Sequence, residues 1–216
     1  MIQTAPSNKV FTPNNCLFNF DLNAISNRSK KGETIEMYLK NKGSMDAYSH
    51  IMGSIAPANM LFQKDYIVFY RLRLSTSQTN NYFKVFDDYY KKSKTLSYAN
   101  ILTDLCNSST GTGRIEASFG SKMLHTLMSD EPIIDSEVVN KLRYNFCTAS
   151  YFKKVPKNIK SVNDAIALHN ALKDCYLNCL IPAAKKVGYC NRFDQEFPKA
   201  TGISDVKKID FYLWAM

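Results

Sequence analysis

Glycine, proline and long apolar runs are all scarce in this sequence, and each scarcity excludes a class of protein. Eight glycines and seven prolines among 216 residues exclude a collagen-like or low-complexity chain. The longest apolar stretches, such as 66–70, are far too short to cross a membrane as a helix. No positively charged segment followed by an apolar one opens the chain, so no secretory signal is expected. With 45% hydrophobic residues, the chain is too apolar to be mostly disordered. These features predict a globular, cytoplasmic protein.

The alternation of polar and apolar residues that is typical of strands is also rare, whereas helical periodicity dominates. We therefore predict an all-α fold in one compact multi-helix domain over 1–216, because neither an internal repeat nor a long linker divides the chain. Segment 1–30 is predicted as an irregular arm, and 65–74 as a buried helix or a strand. Further helices are predicted at 34–42, within 44–60 (a short helix and a turn), at 82–90, 97–106, 114–128, from 135 onward, at 162–187 with an interruption or a bend at Pro182, and at 204–216.

Basic residues outnumber acidic ones by 28 to 19, which gives a formal net charge of +9. The excess is distributed in dibasic pairs at 30–31, 91–92, 153–154, 185–186 and 207–208. Solvated surfaces explain such pairs most simply. Several lysines on one surface would alternatively neutralise phosphates and bind nucleic acid.

The six cysteines are expected to be reduced thiols, as is usual for an intracellular chain of this size. A tetrahedral zinc site could be built from a group of four residues, His169, Cys175, Cys179 and Cys190. However, Cys175 and Cys179 continue an apolar helical stripe, and the paired-cysteine spacing of zinc knuckles is absent. We therefore favour core packing and predict neither a metal nor another cofactor.

An aromatic stripe and three polar segments are the other candidates for function. The stripe, Tyr82, Phe83, Phe86, Tyr89 and Tyr90, has helical spacing and predicts core packing rather than base stacking. Segment 110–114 has two glycines before a helix and could bind phosphate through backbone amides, or could simply connect helices. Asp135 precedes a helix and is suited to be its N-cap. Segment 74–80 is a polar turn after an apolar stretch.

Taken together, the three polar segments resemble the helix-hairpin-helix DNA glycosylases, the superfamily of endonuclease III and the adenine glycosylase. The family's Ser- and Gln-Thr-containing turn is matched by Leu74, Ser75, Gln78 and Thr79. Its Gly-x-Gly-Arg hairpin is matched by Gly111, Gly113, Arg114 and Ala117. Its catalytic aspartate, which follows a proline and an apolar pair, is matched by Pro132, Ile133, Ile134, Asp135 and Val138. The resemblance implies a helix-hairpin-helix core over 97–145.

The resemblance also implies roles for individual residues. The hairpin of Gly111, Gly113 and Arg114 would bind one DNA strand through its backbone without reading sequence. Gln78 would enter the base stack as the target base leaves it. Asp135 would stabilise positive charge on the sugar and orient a water molecule.

Ile115 occupies the position at which bifunctional members of the family carry a lysine, so Schiff-base lyase chemistry is not expected there. Lys122 is the only nearby amine that could act as a nucleophile instead, although a surface lysine is the simpler interpretation. His125 could act as a base, but a packing role is favoured. The sequence thus predicts a DNA-binding, glycosylase-like protein, with a non-catalytic all-α binding protein as the alternative.

Overall fold

A computed structural model describes residues 18–108, 115–145, 147–200 and 202–216. Within these ranges the fold is all-α, as predicted, and the only extended pairing is an isolated antiparallel bridge between Ile25 and Thr34. The helices are α1 Ile35–Lys42, α2 Ser44–Gly53, α3 Met60–Tyr70, α4 Thr76–Tyr90, α5 Tyr98–Ser108, α6 Ala117–Leu127, α7 Ser136–Tyr144, α8 Val162–Cys175, α9 Ile181–Lys186, α10 Tyr189–Glu196 and α11 Asp205–Ala215. Among these helices, none is both long and apolar enough to cross a membrane.

Capping residues set several helix boundaries close to where the sequence predicts them. The Thr34 side chain accepts a hydrogen bond from the Met37 amide at the start of α1, and Gly43 ends that helix with a left-handed φ of 60°. Ser75 and Gln78 form a capping box at the start of α4, so the prediction of a polar turn at 74–80 is wrong from Thr76 onward. Local chemistry therefore accounts for these ends without tertiary contacts.

The segment predicted as a long helix at 162–187, interrupted or bent at Pro182, is interrupted just before that proline. Helix α8 ends at Cys175, a π-helical turn follows at Tyr176–Leu180, and α9 starts at Ile181. Proline has no N–H and its ring clashes with the preceding turn, so the helix widens ahead of it. The sequence analysis did not predict α10.

The ambiguous segment 65–74 is helical in its first part, because Asp65 to Tyr70 belong to α3. Arg71 ends this helix with a left-handed φ of 50°, which is uncommon for a residue other than glycine. The predicted aromatic core on α4 is confirmed for Tyr82, Phe83, Phe86 and Tyr89, which are buried. The prediction is wrong for Tyr90, which is 45% exposed because it lies on the opposite side of the last turn.

Helix α11 lies at the centre of the fold. It packs against α1, α7, α9 and α10, and all residues from Val206 to Leu213 are buried. Ile209 and Leu213 pack into the core. The polar residues Lys207 and Asp210 are buried with them and also line a cavity.

Candidate functional site

A cavity with a volume of about 250 Å³ is lined by residues of α3, α6 and α11. The end of α3 contributes Val68, Phe69, Tyr70 and Arg71; the α1–α2 junction contributes Lys42, Ser44 and Ala47; α6 and the segment before α7 contribute Lys122, Ile133 and Asp135; and α11 contributes Lys207, Asp210, Phe211 and Trp214. We call this cavity the central pocket. It contains both residues that the sequence analysis proposed as catalytic, Lys122 and Asp135.

Asp135 is at once the N-cap of α7 and part of the central pocket. Its Oδ1 accepts hydrogen bonds from the amides of Glu137, at 2.9 Å, and Val138, at 3.2 Å. The predicted capping role is therefore confirmed. In the described ranges no donor reaches its second oxygen, Oδ2, so capping leaves half of the carboxylate for a ligand.

Lys122 is partly buried, so the interpretation as a surface lysine is wrong. Its Nζ donates a hydrogen bond to the Tyr70 carbonyl oxygen at 3.1 Å, at the end of α3, and lies 5.6 Å from the centre of the Phe119 ring. Burial lowers the pKa of the ammonium, the Asp135 carboxylate opposes this shift, and Lys207 reinforces it. The helical periodicity of α6 did not indicate this burial, because the Lys122 side chain extends to the end of the neighbouring helix α3 rather than along its own helix.

A buried ion pair on α11 forms the inner side of the central pocket. Lys207 Nζ donates to Asp210 Oδ2 at 2.6 Å, and both side chains are at least 90% buried. The same ammonium lies 4.5 Å from the centre of the Phe211 ring and 5.3 Å from that of Tyr48. The other oxygen of Asp210, Oδ1, is buried without a hydrogen-bond partner.

A neutral histidine supports the pocket from behind. Burial lowers the pKa of His125 to about 3, so its ring is neutral near pH 7. Its Nδ1 donates to the Glu131 carbonyl oxygen at 2.7 Å, so its Nε2 accepts from the Tyr48 hydroxyl at 2.9 Å. Both nitrogens are occupied and His125 does not line the pocket, which confirms the favoured packing role.

The mouth of the central pocket is basic and aromatic. Lys42 and Arg71 are exposed there, and the Arg71 guanidinium lies 5.8 Å from the centre of the Trp214 ring. A second guanidinium, that of Arg28, lies 4.4 Å from the centre of the Trp214 ring and also pairs with Glu137. Four cationic and two anionic side chains line the cavity, so it favours an anionic or neutral ligand over a cationic one.

Gln78 is not part of the central pocket. Its Oε1 accepts a hydrogen bond from the Ser75 amide at 2.9 Å in the capping box of α4, and its side chain lines a small separate cavity. The predicted hairpin residues Gly111, Gly113 and Arg114 lie outside the described residues. The structure thus brings together Lys122 and Asp135 but leaves the proposed DNA-contacting residues as predictions.

The possible metal ligands are core residues in the described chain. Cys175 and Cys190 are buried free thiols, and burial raises the pKa of each to about 12. His169 stacks on the Tyr98 ring at 4.3 Å between ring centres. Among the residues that the structure describes, no three histidine, cysteine or carboxylate side chains form a metal-binding group. Cys147 is also a free thiol, whereas Cys179 is disulfide-bonded, so the expectation that all six cysteines are reduced is wrong for Cys179.

Sequence reasoning missed the inner half of the pocket. It interpreted the pair at 207–208 as a solvated surface, whereas Lys207 and Lys208 are both buried and paired with aspartates. The available signal was the spacing of Lys207 and Asp210, one turn apart in a helix whose second half is largely apolar. A pair of opposite charges at this spacing can be buried together.

Comparison with known proteins gives no family assignment, since no protein-family model, no curated protein and no solved structure matches this chain.

Proposed function

We propose that this chain binds DNA and hydrolyses the N-glycosidic bond of a nucleotide that is turned out of the duplex into the central pocket. One observation carries the proposal: Asp135, which the glycosylase resemblance marks as catalytic, lines an aromatic-walled cavity together with the amine of Lys122. The cavity, at about 250 Å³, is smaller than pockets for drug-sized ligands, which begin near 300 Å³. A single everted base with its sugar suits such a volume.

The reaction needs a group that stabilises positive charge on the sugar. As the bond between C1′ and the base nitrogen breaks, its electron pair leaves with the base and the sugar becomes cationic. Asp135 Oδ2 would face this charge while Oδ1 keeps the carboxylate fixed on the amides of α7. A water molecule then adds its oxygen to C1′, and its proton passes to the departing base.

Lys122 offers a second nucleophile in the same cavity. Burial favours its neutral form, which could attack C1′ in place of water. The glycosidic bond would break as the bond between Nζ and C1′ forms, and one amine proton would pass to the departing base. Cleavage of the C1′–O4′ bond, with transfer of the second amine proton to O4′, would then give an imine between Nζ and C1′. No hydrogen bond joins Lys122 to Asp135, although the Asp135 carboxylate partly opposes the lowering of the Lys122 pKa.

Exposed cations would hold the DNA backbone. Lys42 and Arg71 at the pocket mouth are placed for phosphates on either side of the everted nucleotide. The hairpin of Gly111, Gly113 and Arg114 would bind one strand through its amides, as the resemblance implies. Binding through phosphates should weaken as salt increases.

A fluorescent duplex with an abasic-site mimic tests the binding half of the proposal. We expect tighter binding to this duplex than to an undamaged one over a salt series, and weaker binding after Gly113→Pro. Equal, salt-sensitive binding to both duplexes would instead support the non-catalytic binding protein. Absence of binding at low salt would refute DNA binding altogether.

Base release from duplexes with modified bases tests the catalytic half. We expect Asp135→Asn to abolish release, whereas Asp174→Asn, a matched change at an exposed position on α8, should leave it intact. Borohydride should trap a covalent protein–DNA adduct only if Lys122 attacks the sugar, and Lys122→Gln should remove that adduct. If no duplex releases a base in the unaltered chain, hydrolysis is ruled out.

A further inference from the structure

The end of α7 and the connector before α8 place several cationic side chains around one exposed tyrosine. Tyr144, the last residue of α7, is 74% exposed. Four lysines of the connector are also exposed, namely Lys153, Lys154, Lys157 and Lys160. Among the residues that the structure describes, none of these four lysines forms an ion pair. Their charge is therefore available to an anion from outside the chain.

The backbone of this connector is fixed by contacts with the core. The Arg143 guanidinium donates hydrogen bonds to the carbonyl oxygens of Val155, at 3.1 Å, and Pro156, at 2.7 Å. The same guanidinium lies 5.6 Å from the centre of the buried Phe152 ring. Val155 and Ile159 pack against the hydrophobic core. Because the backbone that carries the lysines is already ordered, a ligand need not order it on binding.

Lys157 brings the charge of the connector to the tyrosine. Its Nζ lies 5.9 Å from the centre of the Tyr144 ring, a distance at which an ammonium is attracted to an aromatic face. Since most of the tyrosine is exposed, its ring has room for a second planar group. A stacking ring beside several ammonium groups suits a strand of bases joined by phosphates.

We propose that the lysine–tyrosine surface, made of Tyr144, Lys153, Lys154 and Lys157, binds an unpaired nucleic-acid strand. Tyr144 stacks on a base, and the three lysines contact phosphates. A base offers its face for stacking only where the strand is unpaired, so the surface prefers a single strand to a duplex. Helix α7 has nine residues and a length of about 13 Å, which separates this surface from Asp135 in the central pocket. The inference therefore does not rest on the proposed function.

An anionic membrane is the other large partner for a basic surface, and the composition of this surface disfavours it. A membrane-binding surface combines its lysines with an apolar face that enters the lipid. In the described part of 141–160, Tyr144 is the one large hydrophobic side chain that is exposed, since Val155 and Ile159 pack on the core. A nucleic-acid strand needs no such apolar face.

Binding of a short fluorescent oligothymidylate, followed by anisotropy, tests the role of the tyrosine. We expect Tyr144→Ala to weaken binding by about 10-fold and Tyr144→Phe to retain it, because stacking needs the ring and not the hydroxyl. The control Tyr90→Ala, at an exposed tyrosine on α4, should leave the affinity unchanged. Equal affinities of the unaltered chain and Tyr144→Ala would overturn the proposal.

The salt dependence of the same binding tests the lysines. Each phosphate contact to a single strand contributes about 0.7 to the slope of log K against log salt concentration. Glutamine at the three lysines of the surface should therefore reduce that slope by about 2. A control variant removes the same charge from three other exposed lysines, namely Lys30, Lys31 and Lys64. The control should keep the slope, and an equal reduction in both variants would refute a defined surface.

Three comparisons separate this inference from its competitors. Oligouridylate in place of oligothymidylate distinguishes an RNA strand from a DNA strand, and binding of either supports the proposal. Binding to vesicles of anionic phospholipid, without binding of either strand, would overturn it in favour of a membrane. Loss of strand binding in Tyr144→Ala, with no base release from any duplex, would refute the proposed function and leave this surface standing. Base release without binding of a single strand would do the reverse.

Discussion

Substitution of Asp135 separates the observed capping role of this side chain from its proposed catalytic role. Helix capping requires a short side chain with a hydrogen-bond acceptor, which asparagine also has. Charge stabilisation in the central pocket requires the carboxylate. Asp135→Asn therefore keeps the bonds to the amides of Glu137 and Val138 and removes the charge, while Asp135→Ala removes both.

The expected losses of stability follow from these contacts. Asparagine caps about as well as aspartate, so Asp135→Asn should cost only the interaction of a charge with the helix dipole, about 0.5 kcal/mol. Asp135→Ala adds the lost cap, about 1 kcal/mol, for a total near 1.5 kcal/mol. In a chain of this size, 1 kcal/mol lowers Tm by about 2–4 °C. Thermal unfolding followed by circular dichroism should therefore show a larger decrease for alanine than for asparagine.

Base release should not follow that order of stability. Both variants lack the carboxylate, so each should lose about 100-fold or more in rate, and to a similar extent. The assay measures the single-turnover rate of base release on the same preparations, with Asp174→Asn as the control. Retention of activity by Asp135→Asn, or loss in proportion to the decrease in Tm, would show that Asp135 is only a helix cap.

Three further outcomes follow from the structure. His125 has a pKa of about 3 in the folded chain and about 6.5 when unfolded, so between these pH values it binds its proton only in the unfolded chain. The free energy of unfolding should therefore fall by up to about 1.4 kcal/mol per pH unit as the pH drops below about 6.5. Urea unfolding at about pH 7.5 and about pH 5 checks this, and equal free energies at the two pH values contradict it. Gly120→Val should destabilise the fold by about 2 kcal/mol, because even a Cβ at this site would lie 2.9 Å from the Leu102 side chain, and unchanged urea unfolding would contradict the packing of α5 on α6. Arg28→Met removes the guanidinium from the Trp214 ring and its hydrogen bond to the Trp214 carbonyl oxygen, so the tryptophan emission should shift and the midpoint of unfolding should fall, whereas an unaltered spectrum would contradict that contact.

Much of the secondary structure was predictable because its determinants are local. The end of α1 at Gly43 and the N-cap Asp135 of α7 are short-range features that the sequence predicts, and the structure confirms them, whereas the capping box at Ser75 begins α4 inside a segment that was predicted as a turn. The π-helical turn before Pro182 was not predicted. The sequence shows where the proline lies, but not whether the helix adapts to the missing N–H by a kink or by a wider turn.

The central pocket was predictable only in part, because only some of its residues lie close to one another in the sequence. Lys122 and Asp135 lie close in sequence, on α6 and at the start of α7, so a short segment brings them to one side of the fold. Arg71 and Asp210 come from α3 and α11, which are distant in sequence and meet only after the C-terminal helix packs in the core. No periodicity in the sequence indicates that residues of these two helices line the same cavity.

This division has a consequence for function. The local half of the pocket, with Lys122 and Asp135, holds the groups suited to break a bond, whereas the distant half, with Phe211 and Trp214, holds aromatic rings suited to pack against a base. If the proposed function holds, changes in the first half should lower the rate with little effect on nucleoside affinity, because the nucleoside binds before any bond is strained. Changes at Phe211 or Trp214 should instead weaken nucleoside binding, because ring stacking acts in the ground state as well as in the transition state.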